Sequence, residues 1–286
     1  MTRKNKEINR CIYCGVIEGK LSDEHIIPFA FTPKGVNHWM LLRASCNDCA
    51  NITSRFEGIV LRGAWRAARA SLRMSTRRNY PNTFPIEIWH GTQSKIIELP
   101  LEETWRVLPY PEFRIPGQFD DRPDKNALHV VALGLMDHEK SFHEIAAQHH
   151  ADKIGIPGLF LIDLIDDSLN YGPKFQVYGI AFARFLCKLA FCYAIYKFPR
   201  GDFIEQHSLP IIFGDLSKIG RWVGCARTVT LKSKNEYFRL QMEIYENDLW
   251  LRIRLNPLHE KVPEYMINVA TLREEMVHLL NSIGGK

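Results

Sequence analysis

Four of the seven cysteines lie in two C-x-x-C pairs, Cys11 with Cys14 and Cys46 with Cys49. Each pair can present two thiolates from one turn of chain, and two such turns complete a tetrahedral Cys₄ zinc site. The pairs are separated by 31 residues, more than the roughly 15–20 of a simple zinc ribbon, which indicates that a further element is built between them. Because four protein thiolates leave no open coordination position, we predict a structural zinc ion.

The stretch between the cysteine pairs contains a second candidate for chemistry, "LSDEHIIPFA" at residues 21–30. There Asp23 and Glu24 stand directly before His25. Hydrolysis of a phosphodiester needs a base that activates water and a metal that stabilises charge developing on the phosphate, and histidine, which titrates near neutral pH, suits the first task. On a regular strand, Glu24 and His25 point to opposite sides, so a shared site requires a bend. The alternative is a solvated loop.

The order of these features resembles the HNH endonucleases. The resemblance covers about residues 8–62 and is carried by these matching residues: Cys11, Cys14, Glu24, His25, Pro28, Cys46 and Cys49. It implies a unit of two strands and one helix that holds a catalytic divalent ion, Mg²⁺ or Mn²⁺, and that a Cys₄ zinc pins together. It further implies that His25 is the general base and Glu24 the first ligand of the catalytic ion, at a bend in the strand. Asp23 is the substitute ligand.

The first departure from the HNH pattern concerns its central asparagine. That residue usually precedes the second C-x-x-C by a few positions, which here places it near Leu41 or Leu42. A leucine side chain cannot form a hydrogen bond. Asn37 and His38 lie earlier in the chain and are the candidates to replace it through a different loop path.

The second departure concerns the final ligand, which in the family is a histidine or asparagine directly after the last cysteine. Ala50 occupies that position, and Asn51 follows it. We predict Asn51 as the second ligand of the catalytic ion, although a one-residue step turns a helix by about 100°. Asn47, inside the second C-x-x-C, is the other possibility. These departures favour, as an alternative, a module that binds nucleic acid without cleaving it.

A series of arginines follows the second cysteine pair: Arg62, Arg66, Arg69, Arg73 and Arg77. On one continuous helix these residues form a cationic stripe. Phosphates would neutralise it with affinity that depends on salt and hardly on sequence; a solvated face, or pairing with acids elsewhere, is the alternative. Residues 1–80 carry 14 Lys and Arg against six Asp and Glu, whereas the whole chain is only +5. The basic quarter therefore predicts a polyanion partner, DNA or RNA.

The elements that must position these residues are predicted from local patterns. Strands are expected at residues 21–27 and 40–45. Ser45 and Asp48 form a capping-box pattern, so a helix should begin near Cys46 and continue to about residue 74, with Gly58 and Gly63 as weak points. Later strands are expected at residues 84–90, 95–99, 129–134 and 158–165, and further helices at 136–153 and 271–283. Alternation at 237–245, 249–255 and 264–270 predicts an antiparallel meander.

Residues 177–198 form an apolar segment long enough to span a bilayer. Arg184 and Lys188 lie near its centre, four residues apart, where charge is costly in hydrocarbon. We therefore predict a buried helix at 175–198 with one wet or partner-binding stripe, and no membrane partner. The basic N-terminus is not followed by the apolar run of a signal peptide. A cytoplasmic location with reduced thiols is expected, and Cys187, Cys192 and Cys225 are interpreted as buried free cysteines.

The composition, 46% apolar and 24% charged, is that of an ordinary globular protein. We predict an α+β fold with an HNH nuclease domain at residues 1–80, followed at 81–286 by an α+β domain of unknown role. That second domain could bind a protein partner or a second copy of the chain. The expected function is metal-dependent hydrolysis of DNA phosphodiesters. The alternatives are a nucleic-acid-binding module that has lost catalysis, and a sensor or interaction protein in which the zinc is only structural.

Overall fold

A computed structural model describes the chain in twelve ranges, namely residues 5–32, 39–72, 74–75, 79, 81–90, 93–101, 109–121, 125–135, 172–199, 203–229, 238–255 and 262–277. The protein is a mixed α+β structure, as predicted: a small N-terminal sheet with a helix precedes a larger part with an apolar helix and an antiparallel sheet. Several predictions fall outside the described residues, namely the helix at 136–153, the strand at 158–165, Asn37, His38, Arg73 and Arg77.

The N-terminal unit is a three-stranded sheet of order β1 (Lys6–Glu7), β3 (Met40–Ser45), β2 (Ser22–His25). Strand β1 pairs parallel with β3, and β2 pairs antiparallel with β3 so that His25 lies opposite Met40. The predicted strand at 21–27 is shorter in the structure because Pro28 has no N–H to donate and a 3₁₀ turn begins directly after it, at Phe29. A register shift between Ser22 and Glu24 bends β2 as well.

Helix α1 (Asn47–Gly58) begins directly after Cys46, as predicted. The predicted capping box is wrong: Cys46 is the N-cap, and its side chain makes no capping hydrogen bond. The Ser45 hydroxyl donates instead to the Cys46 carbonyl, at 3.3 Å. The reason is the position of the Cys46 thiol, which lies 3.7 Å from that of Cys14 and so faces the cysteine cluster.

A π-helical turn, Ile59–Ala64, interrupts the predicted long helix before α2 (Arg66–Ser71). The Trp65 N–H donates to the Val60 carbonyl at 3.1 Å, the i to i+5 bond of a π-helix. The extra residue in this turn places Val60, Leu61 and Trp65 together in the core. The Trp65 indole N–H donates to the Tyr178 hydroxyl at 3.0 Å. The interruption falls at the glycines that the sequence marked as weak points.

The larger part contains a five-stranded sheet of order β10 (Phe238–Tyr245), β11 (Asp248–Leu255), β12 (Glu264–Leu272), β8 (Phe203–Gln206), with β9 (Val223–Cys225) also paired to β12. All pairings in this sheet are antiparallel, so the predicted meander is confirmed. The helix predicted from residue 271 is wrong at its start, because β12 continues to Leu272 through pairing with β8. Residues 274–277 are helical.

Two separate hairpin-like pairs complete the strands, β4 (Thr83–His90) with β5 (Gln93–Pro100) and β6 (Pro109–Phe113) with β7 (Val130–Leu135). Helix α3 (Gly172–Lys197) runs through the core, and the short helices α4 (Ser208–Phe213) and α5 (Ile219–Trp222) follow β8. Of the described helices, only α3 is long and apolar enough to cross a bilayer, and 83% of its apolar window is buried within the protein. This burial matches the predicted core helix.

A continuous hydrophobic cluster joins the two parts of the chain. Trp65 of the N-terminal part lies against Phe182 of α3 with ring centroids 6.4 Å apart, and Phe182 lies 5.3 Å from Tyr265 of β12. Phe31 and Phe56 belong to the same cluster. The division into domains at residue 80 stays a prediction, while the described core is shared.

A buried polar cluster fixes the edge of the large sheet where β8, β11 and β12 meet. Asp248 accepts hydrogen bonds from Thr271 at 2.6 Å and Asn268 at 2.9 Å, and its carboxylate lies 3.6 Å from Nε2 of His207. Burial alone would raise the pKa of Asp248, but the hydrogen bonds from these residues outweigh it and lower that pKa to about 2. The cluster therefore stabilises the fold through an ionised carboxylate.

We expect Asp248→Asn to lose about 2 kcal/mol of unfolding free energy at neutral pH. Because the folded pKa is depressed, this contribution is present above the ordinary value of 3.8 and is lost as pH falls through about 2. Urea unfolding at several acidic pH values should show a shallower loss of stability in the variant. The control is Glu246→Gln, which changes an exposed acid in the turn between β10 and β11. If the unfolding free energy of this control depended on pH as weakly as that of Asp248→Asn, the role assigned to Asp248 would be contradicted.

Candidate metal centre

The sulfur atoms of Cys11, Cys14, Cys46 and Cys49 all lie within 4.8 Å of one another. The Cys14 and Cys46 sulfurs are 3.7 Å apart. A tetrahedral zinc ion with Zn–S bonds of about 2.3 Å separates its sulfur ligands by about 3.8 Å. The cluster is therefore compatible with the predicted structural zinc.

Two short backbone turns deliver the four thiols. In the first, the Cys11 N–H donates to the Val16 carbonyl at 2.7 Å and the Gly15 N–H donates back to Cys11 at 2.9 Å. Gly15 adopts φ of 79°, a left-handed conformation that glycine reaches without strain. The second turn is the start of α1, where the Ala50 N–H donates to the Cys46 carbonyl at 3.0 Å. Both turns meet at the end of β3.

The closeness of the four thiols favours the binding of a cation between them. Cys49 is buried, and burial together with the neighbouring thiols of Cys46 and Cys11 raises the pKa of its thiol. Four thiols this close cannot all ionise against one another without a positive charge between them. A Zn²⁺ ion bound between them would supply that charge, with the four cysteine thiolates as its ligands.

Glu24 lies on the core side of β2 and is only 8% exposed. One carboxylate oxygen is 2.6 Å from Nζ of Lys188, and the other accepts a hydrogen bond from the Tyr13 hydroxyl at 3.1 Å. Both oxygens are thus engaged by the protein itself. These contacts favour a structural role for Glu24, and its role as ligand of a catalytic ion stays a prediction.

Lys188 of α3 is 2% exposed and forms a second ion pair, with Glu57 of α1, at 2.6 Å. Its ammonium group also donates to the His25 carbonyl at 3.4 Å. Burial alone would lower the pKa of Lys188, but Glu24 and Glu57 outweigh it and raise the pKa above its ordinary value. The charged side chain therefore joins β2 and α1 to the core helix.

The predicted wet or partner-binding stripe on the apolar helix is wrong. Lys188 is enclosed by the ion pairs just described. Arg184 donates to the Ile212 carbonyl at 2.6 Å, and its guanidinium lies 4.8 Å from the centre of the Phe56 ring. Both cations bind other parts of the same chain. The sequence of the helix alone could not predict these contacts, because the partners of Lys188 and Arg184 are remote from the helix in sequence.

His25, the proposed base, is the last residue of β2 and is half-buried, with its ring 6.3 Å from that of Phe29. Asp23 is exposed, and its carboxylate accepts the Arg43 N–H at 2.9 Å. Asn51 and Asn47 are both exposed on the first turns of α1. The structure thus places a histidine and three exposed oxygen-bearing side chains on the ββα unit.

Over its described members, Arg62, Arg66 and Arg69, the arginine stripe does not form as predicted, because the π-helical turn breaks the continuous helix on which it depended. Arg69 donates to the carbonyls of Ala30 at 2.6 Å and Leu61 at 2.9 Å, so its guanidinium holds the backbone together. Arg66 is exposed and lies 4.9 Å from the centre of the Phe84 ring. Arg62 is also exposed. Arg62 and Arg66 are thus the exposed members of the series among the described residues.

The order of strand, strand and helix, together with the thiol cluster at their junction, fits a zinc-binding ββα module. No family model, no curated protein and no solved structure matches the chain.

Proposed function

We propose that this protein is a metal-dependent endonuclease of the HNH type that hydrolyses phosphodiester bonds of DNA. The observation that carries the proposal is the position of His25. It ends a strand that pairs antiparallel with β3, and β3 leads directly into the helix that the cysteine cluster pins. This is the frame of two strands, helix and structural zinc that the resemblance to HNH endonucleases implies.

In this proposal His25 takes the proton of the attacking water. Bound Mg²⁺ or Mn²⁺ supplies charge stabilisation at the phosphate. Asp23 and Asn51, both exposed, are the oxygen-bearing side chains that we assign to hold that ion, since Glu24 is engaged with Lys188. Glu24 then acts by holding β2 in place. Arg62 and Arg66 are exposed and bind backbone phosphates.

A second candidate function is a DNA-binding module that does not cleave. The ion pair of Glu24 with Lys188 favours it, because that pair removes the carboxylate that the family pattern assigns to the catalytic ion. Ala50, at the position of the final family ligand, supports the same conclusion.

We expect His25→Ala to lower plasmid nicking with Mg²⁺ or Mn²⁺ by at least about 100-fold, the effect of losing a general base. Zinc content and thermal unfolding midpoint should match the wild type, since His25 ends its strand and is only half-buried. Paired variants on α1 test the ligands: Asn51→Ala should lose activity, whereas Asn47→Ala, exposed one turn earlier, should keep it.

The wild type decides between the candidate functions. Full activity of His25→Ala would overturn the assignment of the base. A wild type that shifts DNA on a gel at low salt, and cleaves nothing with either ion, would establish the binding module. Absence of both binding and cleavage would leave the sensor or interaction protein as the remaining interpretation.

A further inference from the structure

An exposed aromatic surface lies beside the ββα unit. Trp39 stacks on Tyr196 with ring centroids 5.9 Å apart and planes 14° apart, and on Tyr193 at 6.2 Å and 17°. Both tyrosines lie on the last turns of α3. We call Trp39, Tyr193 and Tyr196 the aromatic platform. Trp39 is 39% exposed, so the indole is its outer layer.

Positive charge surrounds this platform. Nζ of Lys6 lies 5.0 Å from the centre of the Tyr196 ring, and Nζ of Lys197 lies 5.4 Å from that of Tyr193. Desolvation, followed by the charge of Lys197, lowers the pKa of Lys6, so the two ammonium groups are close enough to repel each other. Arg10 is held nearby through a hydrogen bond to the Pro199 carbonyl, at 3.2 Å. An anion bound here would relieve the repulsion.

The platform is connected directly to the proposed catalytic strand. The Ile26 N–H donates to the Trp39 carbonyl at 3.0 Å, and the next pair in the ladder is His25 with Met40. Trp39 therefore stands at the same end of the β2–β3 pair as His25.

The exposure of Trp39 distinguishes it from tryptophans that serve only the core. Trp65 is fully buried and Trp250 is 1% exposed. An indole with an outer face beside two lysines is the arrangement that binds unpaired nucleotides, where bases stack on aromatic rings and cations neutralise phosphates. Bases inside a duplex are already stacked on one another, so the surface selects single strands.

We propose that the aromatic platform binds single-stranded nucleic acid, with one unpaired base stacked on Trp39 and neighbouring phosphates neutralised by Lys6 and Lys197. Resting on the proposed function, this defines the substrate class as DNA that contains an unpaired segment.

The test is fluorescence anisotropy of a labelled oligo(dT) and of a duplex of equal length, with the full zinc-loaded chain and no added Mg²⁺ or Mn²⁺. We expect Trp39→Ala to weaken oligo(dT) binding by about tenfold or more, the effect of losing one stacked base. Trp39→Phe should retain most of the affinity, and duplex binding should change little. Tyr245→Ala removes an exposed aromatic ring at the edge of the large sheet and should leave affinity unchanged.

Salt dependence tests the lysines separately. If each lysine neutralises one phosphate, Lys6→Gln and Lys197→Gln should each lower the slope of log affinity against log salt by about 0.7 for a single strand. Equal oligo(dT) affinity of wild type and Trp39→Ala would overturn the inference.

Because no catalytic ion is present in the binding assay, its result is independent of cleavage. If binding depends on Trp39 but the protein has no nuclease activity, the proposed function is wrong and the aromatic platform is supported. If the protein cleaves DNA but Trp39→Ala binds oligo(dT) as tightly as the wild type, the proposed function is supported and the aromatic platform is wrong.

Discussion

Purified protein should carry one zinc ion per chain, and Cys49→Ser should lose both that ion and the folded N-terminal unit. The apparent binding free energy of a structural Cys-ligated zinc is about 10–16 kcal/mol. The total stability of a domain is only about 5–15 kcal/mol. The β1–β3 sheet has strands of two, four and six residues, too little structure to persist without the ion.

The loss is expected to reach beyond the zinc unit. Tyr13 and Phe56, which lie close in sequence to cluster cysteines, are buried in the same hydrophobic cluster as helix α3. When the ββα unit unfolds, the apolar faces of α3 that it covers are exposed to water. Hydrogen exchange should therefore accelerate in α1 and in the part of α3 that contacts it, as well as around the cysteines.

Zinc per chain, measured by elemental analysis, is the primary readout. Cys225→Ser is the matched control, since Cys225 lies outside the cluster and its sulfur accepts a backbone hydrogen bond from Phe113 at 3.3 Å. It should keep stoichiometric zinc. Wild-type protein without zinc, or Cys49→Ser with a full equivalent of it, would contradict the predicted centre. Tetrahedral thiolate absorption after Co²⁺ substitution gives an independent check.

The cysteine cluster and most strands could be predicted because their determinants are local. Ligand spacing identifies the two thiol turns, and the strand predicted at residues 40–45 has the observed bounds of β3. The meander β10–β12 follows from the alternation of apolar and polar residues. Strands β1, β6, β8 and β9 were missed. Strands β1, β8 and β9 have only two to four residues and form by pairing with β3 or β12, and β6 contains two prolines, which are typical of a loop.

The surroundings of the candidate site could not be predicted, because they depend on contacts that are distant in sequence. Nothing near Glu24 indicates that its carboxylate pairs with Lys188, far along the chain in α3. Arg69 is a second example. Its spacing from the neighbouring arginines predicted a phosphate-binding stripe, whereas in the fold its guanidinium donates to backbone carbonyls of two other segments. Residue type predicted the charges, and only the packing of α3 against the ββα unit determines their partners.

That packing leads to the second large effect: Lys188→Met should lower the unfolding free energy by about 3–5 kcal/mol, because it leaves the buried carboxylate of Glu24 and the half-buried carboxylate of Glu57 without their cation. Glu24 and Glu57 each lie 2.6 Å from the ammonium group that would be removed. The raised pKa of Lys188 has a consequence for pH as well. The contribution is fully present below the ordinary value of 10.5 and is progressively lost at higher pH.

Urea unfolding followed by circular dichroism measures this effect, with Lys197→Met on the exposed end of the same helix as control, expected within about 0.5 kcal/mol of wild type. Combining Lys188→Met with Glu24→Gln and Glu57→Gln removes the unpaired charges, so most of the lost stability should return. A Lys188→Met protein within 1 kcal/mol of wild type (about the error of such a comparison) would show that the ion pairs do not hold the unit. If Lys188→Met is destabilised and the triple variant regains most of the unfolding free energy, the loss comes from the unpaired carboxylates. Glu24 then acts on β2 through Lys188.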